Sequence, residues 1–179
     1  RAGLAVALGQ LRHLARAMRP RQWAKNLLIY LAFFFTLDSH GTDGLAGEFQ
    51  LFGEATLGFL LFSILSGATY VLNDLKDVEA DRLHPRKQHR PLASGDLSPS
   101  VAMIGAVGVA AVALGFAFVL DMGFGAITSV YLCIILAYNW VFKDMVILDV
   151  MVVAVGFVLR AAAGAQVIDV PQRMPTPQG

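Results

Sequence analysis

The composition of the chain favours a membrane protein over an ordinary soluble domain. It has 179 residues, of which 56% are hydrophobic, and its mean hydropathy is +0.62. The formal net charge is only +1, but most Lys and Arg residues fall in two blocks that apolar runs separate. The single cysteine, Cys133, excludes an intramolecular disulfide.

The first two predicted elements are a basic helix and a short apolar segment. Leucines recur at helical spacing between arginines, which predicts a basic interfacial helix over residues 1–22. The apolar run that follows is short for a bilayer. Because Trp23 can serve as an interfacial anchor at its start, we predict a first transmembrane helix over residues 23–37.

Four further apolar segments are long enough to cross a membrane. Their predicted bounds are residues 51–72, 101–120, 124–142 and 146–168. With the first span they predict an all-α, multi-spanning transmembrane bundle of five helices over residues 23–170. The last residues, 171–179, do not resemble the start of another span, and we interpret them as an atypical, truncated tail.

The distribution of charge predicts the orientation of the spans. Basic residues precede the first span, whereas residues 38–50 contain acidic residues and no Lys or Arg. The N-terminus should therefore be cytoplasmic. The connection over residues 73–100 is rich in both Asp and basic residues, and the same rule places it on the cytoplasmic side.

An acidic motif directly follows the second predicted span. Its members are Asn73, Asp74, Asp77 and Asp81. If the helix continues, the three carboxylates share one face and repel one another, so they call for a cation. Hard oxygen ligands favour Mg²⁺ over zinc, and Mg²⁺ commonly binds substrate phosphates as well. We therefore predict a Mg²⁺ site for a diphosphate, with all four residues as ligands and the three aspartates as catalytic residues.

Basic residues near the same cytoplasmic surface are the candidate phosphate contacts. They are Arg21, Lys25, Lys87, Arg90 and Lys143. Arginine can bind phosphate with two parallel hydrogen bonds, and lysine binds it as a point charge. The alternative for each of them is a solvated residue that only enforces topology.

Three polar residues in the last two predicted spans are further candidate substrate contacts. Tyr138 lies near the end of the fourth span, where it could equally be an interfacial anchor. Asp149 and Arg160 fall on one face of the fifth span, about three turns apart. Ionic groups inside a membrane are costly and normally face a cavity or a partner, so an ion pair with another helix is the alternative for each.

The acidic motif resembles the first signature of the UbiA-type membrane prenyltransferase superfamily, which has the form NDxxDxxxD. Within it, residues 19–26, 77–82, 148–150 and 156–161 look like the decaprenyl-phosphate phosphoribosyltransferase branch. The resemblance covers most of residues 15–170. It implies a fold of about nine transmembrane helices around a central cavity, of which this chain would hold the N-terminal five.

The resemblance also implies an activity. This is Mg²⁺-dependent transfer of 5-phosphoribose from phosphoribosyl diphosphate to decaprenyl (polyprenyl) phosphate, with release of diphosphate, in the synthesis of cell-wall arabinan precursors. One alternative is transfer of a polyprenyl group from its diphosphate to an aromatic acceptor, and another is a non-catalytic membrane fragment. We expect a multi-pass protein of the bacterial cytoplasmic membrane with no nucleic-acid partner, and a homo-oligomer is an option that the sequence leaves open.

Overall fold

The part of the chain that the structure describes is predominantly helical. A computed structural model describes residues 2–36, 45–142 and 146–168, and these ranges contain no β-strand. The elements in chain order are α1 (Ala2–Ala17), a 3₁₀ helix (Pro20–Ile29), α2 (Tyr30–Thr36), α3 (Leu45–Lys76), α4 (Val78–Leu83), a second 3₁₀ helix (Lys87–His89), α5 (Pro99–Leu120), α6 (Met122–Ala137), a π-helical turn (Tyr138–Phe142) and α7 (Val146–Ile168). The predicted fold class, an all-α membrane bundle, is confirmed.

Four helices of the described ranges are long and apolar enough to cross a membrane. They cover Gly47–Lys76, Pro99–Leu120, Met122–Val141 and Ile147–Ile168. These helices correspond to the second, third, fourth and fifth predicted spans. The predicted second span ended at residue 72, but α3 continues for a further turn and includes the start of the acidic motif.

The first predicted span does not form one continuous α-helix. Residues 23–29 belong to the 3₁₀ helix, α2 covers the next seven residues, and residue 37 lies outside the described ranges. The reason is tertiary packing, which can override local preference. The backbone carbonyl of Ile29 lies so close to Gly164 of α7 that any Cβ at that glycine would clash with it.

Local sequence explains where two of the spanning helices begin. Pro99 occupies the first position of α5, where a missing N–H costs nothing, and Ser98 accepts the first helical hydrogen bond from Ala102 at 2.9 Å. Asp121 caps α6, because its carboxylate accepts a hydrogen bond from the backbone N–H of Phe124 at 2.6 Å. A single turn at Asp121 thus separates two spans.

The described helices contribute to two compact units. Unit 1 comprises residues 1–24 and 63–113, and unit 2 comprises residues 25–62 and 114–179.

In unit 1, α1 packs closely against α3 and α5. Its Leu14 lies against Gly105, and Met18, just after the helix, lies against Gly67. Small residues at such contacts let helices approach where lipid provides no hydrophobic drive. The side chain of Gln10 also bonds the loop before α5, donating to the carbonyl of Asp96 and accepting from the N–H of Ser98, both at 2.9 Å.

The outer face of α1 carries apolar side chains that the other described residues leave exposed. Leu4, Leu8 and Leu11 are all more than half exposed. A helix that lies in a membrane interface buries such a face among lipids. The interfacial role of residues 1–22 stays a prediction, and the helical part of it ends at Ala17.

In unit 2, α7 packs against α2 and α6. Val167 of α7 also lies against Gly58 of α3. Tyr30 of α2 donates a hydrogen bond to Thr56 of α3 at 3.0 Å. These contacts hold α2 against α3 and α7. Asn26, which precedes α2 in the chain, lies in the interior of the unit, where it is 1% exposed.

Candidate functional site

The acidic motif lies at the end of α3 and in α4, within unit 1. Asn73 and Asp74 belong to the last turn of α3, Asp77 forms the junction, and Asp81 lies in α4. Backbone bonds from Asp77 to Asn73 at 3.0 Å and from Asp81 to Asp77 at 2.8 Å keep helical spacing across the junction. Asp74 and Asp81 are each only 2% exposed, so two carboxylates are held away from solvent.

Three cationic side chains surround these two carboxylates. Asp74 Oδ1 accepts hydrogen bonds from Arg19 Nη2 at 2.5 Å and from Arg90 Nη1 at 3.1 Å. Asp81 accepts from the same Arg90 nitrogen at 2.6 Å, and Lys87 Nζ lies 3.7 Å from its other oxygen. One guanidinium nitrogen therefore joins the two carboxylates, and cations outnumber carboxylates in this cluster.

The loop after α4 holds Arg90 in place. Leu92 and Leu97 are almost fully buried and anchor this loop in unit 1. Ser94 bonds back to the Arg90 carbonyl through both its N–H at 2.8 Å and its hydroxyl at 2.9 Å. Gly95 has a φ of 85°, a conformation that glycine adopts without strain and that closes the turn. The side chain of Arg90 remains about one-quarter exposed, so its guanidinium can meet a ligand.

The other two members of the predicted cluster bond to each other. Asn73 donates from Nδ2 to Asp77 Oδ2 at 3.2 Å, and both side chains are partly buried. The structure thus brings together Asp74 and Asp81 through Arg90, and Asn73 and Asp77 through a direct hydrogen bond.

The donor set fits a hard divalent cation. Among the described residues, no three acidic, His or Cys side chains are arranged as a ready metal site. Nevertheless, Asp74 and Asp81 already converge on a single positive position, which Arg90 Nη1 occupies. Their carboxylate oxygens are the ligand type that Mg²⁺ prefers, so these residues suit Mg²⁺ when a cation replaces the guanidinium there.

Arg19 contacts the acidic cluster but is absent from the site residues predicted from the sequence. It follows the end of α1, has a φ of 53°, and lies with its guanidinium 4.9 Å from the centre of the Tyr70 ring. A positive φ is unfavourable for arginine, and such strain concentrates at functional positions. The signal available in the sequence was the basic residue directly before Pro20, at a helix end.

Four other predicted substrate contacts have simpler environments or lie outside the described residues. Arg21 and Lys25 are exposed. Lys143 lies outside the described residues. Tyr138 is partly buried at the start of the π-helical turn that follows α6. Substrate contacts by these four residues stay predictions.

Unit 2 contains a buried arginine with neutral partners. Arg160 is 7% exposed and donates from Nε to Asn26 Oδ1 at 2.7 Å and from Nη2 to the Tyr131 hydroxyl at 3.2 Å. Its guanidinium also lies 5.2 to 5.8 Å from the ring centres of Phe62, Tyr131 and Phe157. Sequence analysis selected Arg160 but neither of its hydrogen-bonding partners, since nothing local in the chain links them.

Asp149 and Arg160 do not form an ion pair in the described part of the chain. Asp149 is partly buried near the start of α7, and its Oδ1 is buried without a hydrogen bond to a described residue. Their predicted separation of about three turns along one helix agrees with this arrangement.

The fold and the motif together define a polytopic membrane protein with an acidic helix end. The profile of the UbiA prenyltransferase family matches residues 26–175. The chain therefore belongs to the UbiA prenyltransferase family.

The matches to individual relatives include most of this chain but only a part of each relative. It is 37% identical over 147 residues to the protein y4nM of Sinorhizobium fredii, spanning 82% of this chain and 27% of that protein. It is 34% identical over 159 residues to the decaprenyl-phosphate phosphoribosyltransferase of Mycolicibacterium smegmatis, spanning 88% and 49% respectively. The chain thus spans about half the length, or less, of these relatives.

A solved structure has the same fold. A UbiA homologue from Archaeoglobus fulgidus, bound to DMAPP and Mg²⁺, matches with a TM-score of 0.72 at 25% identity, over 88% of this chain and 55% of that chain.

Proposed function

We propose that this chain carries the diphosphate-binding part of an enzyme that transfers 5-phosphoribose from phosphoribosyl diphosphate to a polyprenyl phosphate. The observation that carries the proposal is the convergence of two buried carboxylates, Asp74 and Asp81, on one cationic position beside partly exposed basic side chains. Such a cluster can hold a divalent cation and its diphosphate together. The similarity to the phosphoribosyltransferase of M. smegmatis supports the choice of donor.

The proposed roles follow from charge and exposure. Asp74 and Asp81 hold the cation, and Asn73 and Asp77 complete its oxygen environment. Lys87 and Arg90, with side chains 43% and 25% exposed, bind the phosphate oxygens. When it is bound there, Mg²⁺ neutralises negative charge on the departing diphosphate.

The chemistry requires no covalent nucleophile from the protein. The bond from the ribose anomeric carbon to the diphosphate oxygen breaks, and a phosphate oxygen of the lipid forms a new bond to that carbon. The lipid phosphate and the diphosphate are already anionic, so no general base is needed to activate the lipid phosphate as the acceptor. The residues of the acidic cluster therefore act by alignment and by electrostatic stabilisation of the leaving group.

The protein is a multi-pass membrane protein, with four helices able to span a bilayer among its described residues. We infer from the charge pattern that the acidic cluster faces the cytoplasm of a bacterial cell, where phosphoribosyl diphosphate is available. The exposed candidates Arg21 and Lys25, together with Tyr138, Lys143 and Asp149, remain proposed secondary substrate contacts.

Prenyl transfer is the second candidate function. It would use the same carboxylates on a polyprenyl diphosphate, and an aromatic acceptor would receive the lipid. The match to a UbiA homologue bound to DMAPP and Mg²⁺ favours this reading. The third reading is a non-catalytic membrane fragment, which the coverage of about half of the relatives' length keeps open.

A donor comparison tests the proposal. Membranes containing the protein are incubated with Mg²⁺, labelled phosphoribosyl diphosphate and decaprenyl phosphate, or with a labelled polyprenyl diphosphate and an aromatic acceptor. We expect label in the lipid fraction only in the first reaction. Turnover of the polyprenyl diphosphate without transfer of phosphoribose would refute the proposed donor.

Calorimetry separates an enzyme site from a non-catalytic fragment. Wild type and Asp77→Asn are titrated with Mg²⁺ and phosphoribosyl diphosphate in detergent. The proposal predicts a large loss of affinity in the variant, because a charged oxygen near the cation is removed. Equal affinities for the two proteins would support the non-catalytic reading.

A further inference from the structure

Arg160 differs from the cations of unit 1 in the chemistry of its partners. Its hydrogen bonds go to the amide oxygen of Asn26 and the hydroxyl of Tyr131, both neutral groups. Three aromatic rings lie within 6 Å of its guanidinium. Arg160 is only 7% exposed. Nevertheless, no carboxylate of the described ranges lies within ion-pair distance of it.

A buried cation without a counter-ion is costly in a membrane-spanning helix. Neutral hydrogen bonds and ring contacts recover only part of the lost hydration of the guanidinium. Helix α7 is one of the four candidate spans, so the surroundings of Arg160 are apolar. We expect a buried arginine of this kind to bind an anion during function.

The guanidinium has donors left for that anion. Arginine carries five N–H groups, and the hydrogen bonds to Asn26 and Tyr131 use only Nε and one hydrogen of Nη2. Nη1 makes no hydrogen bond within the described residues, and it lies beside Gly156, where an added Cβ would come to 2.9 Å from it. Glycine at this position leaves the Nη1 edge of the fork uncovered by a side chain.

We propose that Arg160, positioned by Asn26 and Tyr131, is an oxyanion-binding site in unit 2 for a phosphate monoester. A planar fork of donors matches two oxygens of a phosphate group. The aromatic rings around it suit a phosphate that arrives on an apolar tail, so a lipid phosphate is the ligand source we favour over free phosphate. If the proposed function holds, this phosphate is that of the acceptor, but the site itself rests on unit 2 residues alone.

Binding to short amphiphiles tests the site. The whole chain, purified in non-ionic detergent, is titrated with farnesyl phosphate, farnesol and inorganic phosphate, without Mg²⁺. We expect saturable binding of farnesyl phosphate and none of farnesol. Arg160→Gln should weaken binding of farnesyl phosphate at least about tenfold, as expected for loss of a charge-assisted fork. Arg160→Lys should recover part of the loss, because a point charge remains.

Two further variants test whether a loss of binding is specific to the site around Arg160. Gly156→Ala keeps Arg160 but puts a methyl group beside Nη1, and it should also weaken farnesyl phosphate binding while the helical circular dichroism stays unchanged. Arg12→Gln, which removes an exposed arginine of α1, should bind as the wild type does. Arg160-dependent binding of inorganic phosphate as tight as that of farnesyl phosphate would assign the site to free phosphate.

The site and the proposed function fail in different ways. Asp81→Asn should leave farnesyl phosphate binding unchanged while it weakens Mg²⁺-dependent binding of phosphoribosyl diphosphate. If Arg160→Gln and Gly156→Ala both bind farnesyl phosphate as tightly as wild type, the oxyanion site is wrong, whatever the acidic cluster does. If only the Asp81→Asn effect is absent, the oxyanion site stands and the diphosphate site falls.

Discussion

The two units differ in the sign of their buried charges and in the partners of those charges. In unit 1, two buried carboxylates are compensated by three cations, one from the end of α1 and two from the segment after α4. In unit 2, a buried cation is held by an amide, a hydroxyl and aromatic rings. The carboxylates of the acidic cluster thus have cationic partners, whereas Arg160 has only neutral partners within the described residues.

This difference predicts how each region responds to ligands and to mutation. A cation that enters the acidic cluster must replace Arg90, so its binding is a competition between two positive groups. An anion that reaches Arg160 displaces no described counter-ion. Removing a charge should therefore destabilise unit 1 and have little effect on the stability of unit 2.

The largest expected effect is on metal-dependent binding at the acidic cluster. Asp81→Asn should lower the affinity for Mg²⁺ and phosphoribosyl diphosphate by at least about 100-fold. Loss of a group that only supports a metal ligand can already lower metal affinity by about 100-fold, and Asp81 is a proposed ligand itself. Calorimetry in detergent measures it. Glu79→Gln on the same helix is the control, because that carboxylate is 80% exposed and should not matter. Equal losses in the two variants would mean that overall charge, rather than the cluster, governs binding.

The second prediction compares stability in the two units directly. Arg90→Met should destabilise the fold by about 2–3 kcal/mol, somewhat less than for a fully buried pair because Arg90 is partly exposed. Arg160→Met should change stability by less than about 1 kcal/mol, since no charged partner is stranded. Thermal unfolding in detergent distinguishes them, with the exposed Arg86→Met as control. A larger loss for Arg160→Met would reverse the comparison.

A third prediction concerns Mg²⁺ alone. Arg90→Gln should raise the affinity for Mg²⁺ without substrate by about tenfold, because a competing cation is removed from between the carboxylates. The same variant should bind phosphoribosyl diphosphate more weakly, because a phosphate contact is lost. Calorimetric titrations with each ligand measure both changes. Weaker binding of Mg²⁺ by the variant would show that Arg90 does not compete for that position.

The smallest predicted effect tests the strained turn at Arg19. Glycine accepts a positive φ, so Arg19→Gly should be more stable than Arg19→Ala by about 1 kcal/mol, although both lose the bond to Asp74. At Arg12, inside α1, the order should reverse, because glycine destabilises a helix interior relative to alanine. Thermal unfolding of the four variants provides both comparisons. The same order at both positions would argue against strain at Arg19.

The sequence predicted the elements that depend on local pattern. The spans 101–120 and 146–168 agree closely with α5 and α7, because a predominantly apolar segment of bilayer length has few other solutions. The acidic motif was recognisable because its spacing follows the helix period.

The features that could not be predicted from the sequence depend on contacts between residues that lie far apart in the chain. Residues 23–37 looked like the start of a span, yet Asn26 and Ile29 are drawn into the packing of α7. Helical periodicity carries no information about such a partner. In the acidic cluster, repulsion among aspartates called for a cation, but the choice of Arg19 and Arg90 depends on how α1 and the loop after α4 fold back.

The bond between Asn26 and Arg160 also has a consequence for the timing of biogenesis. These residues lie 134 positions apart. At elongation rates of about 5–20 residues per second, Asn26 waits on the order of ten seconds for its partner to be synthesised. Residues 25–29 therefore spend this interval without the helix that later packs against them. Their final conformation should be among the last parts of unit 2 to form, and a ribosome stalled before α7 would hold a chain in which these residues lack that packing.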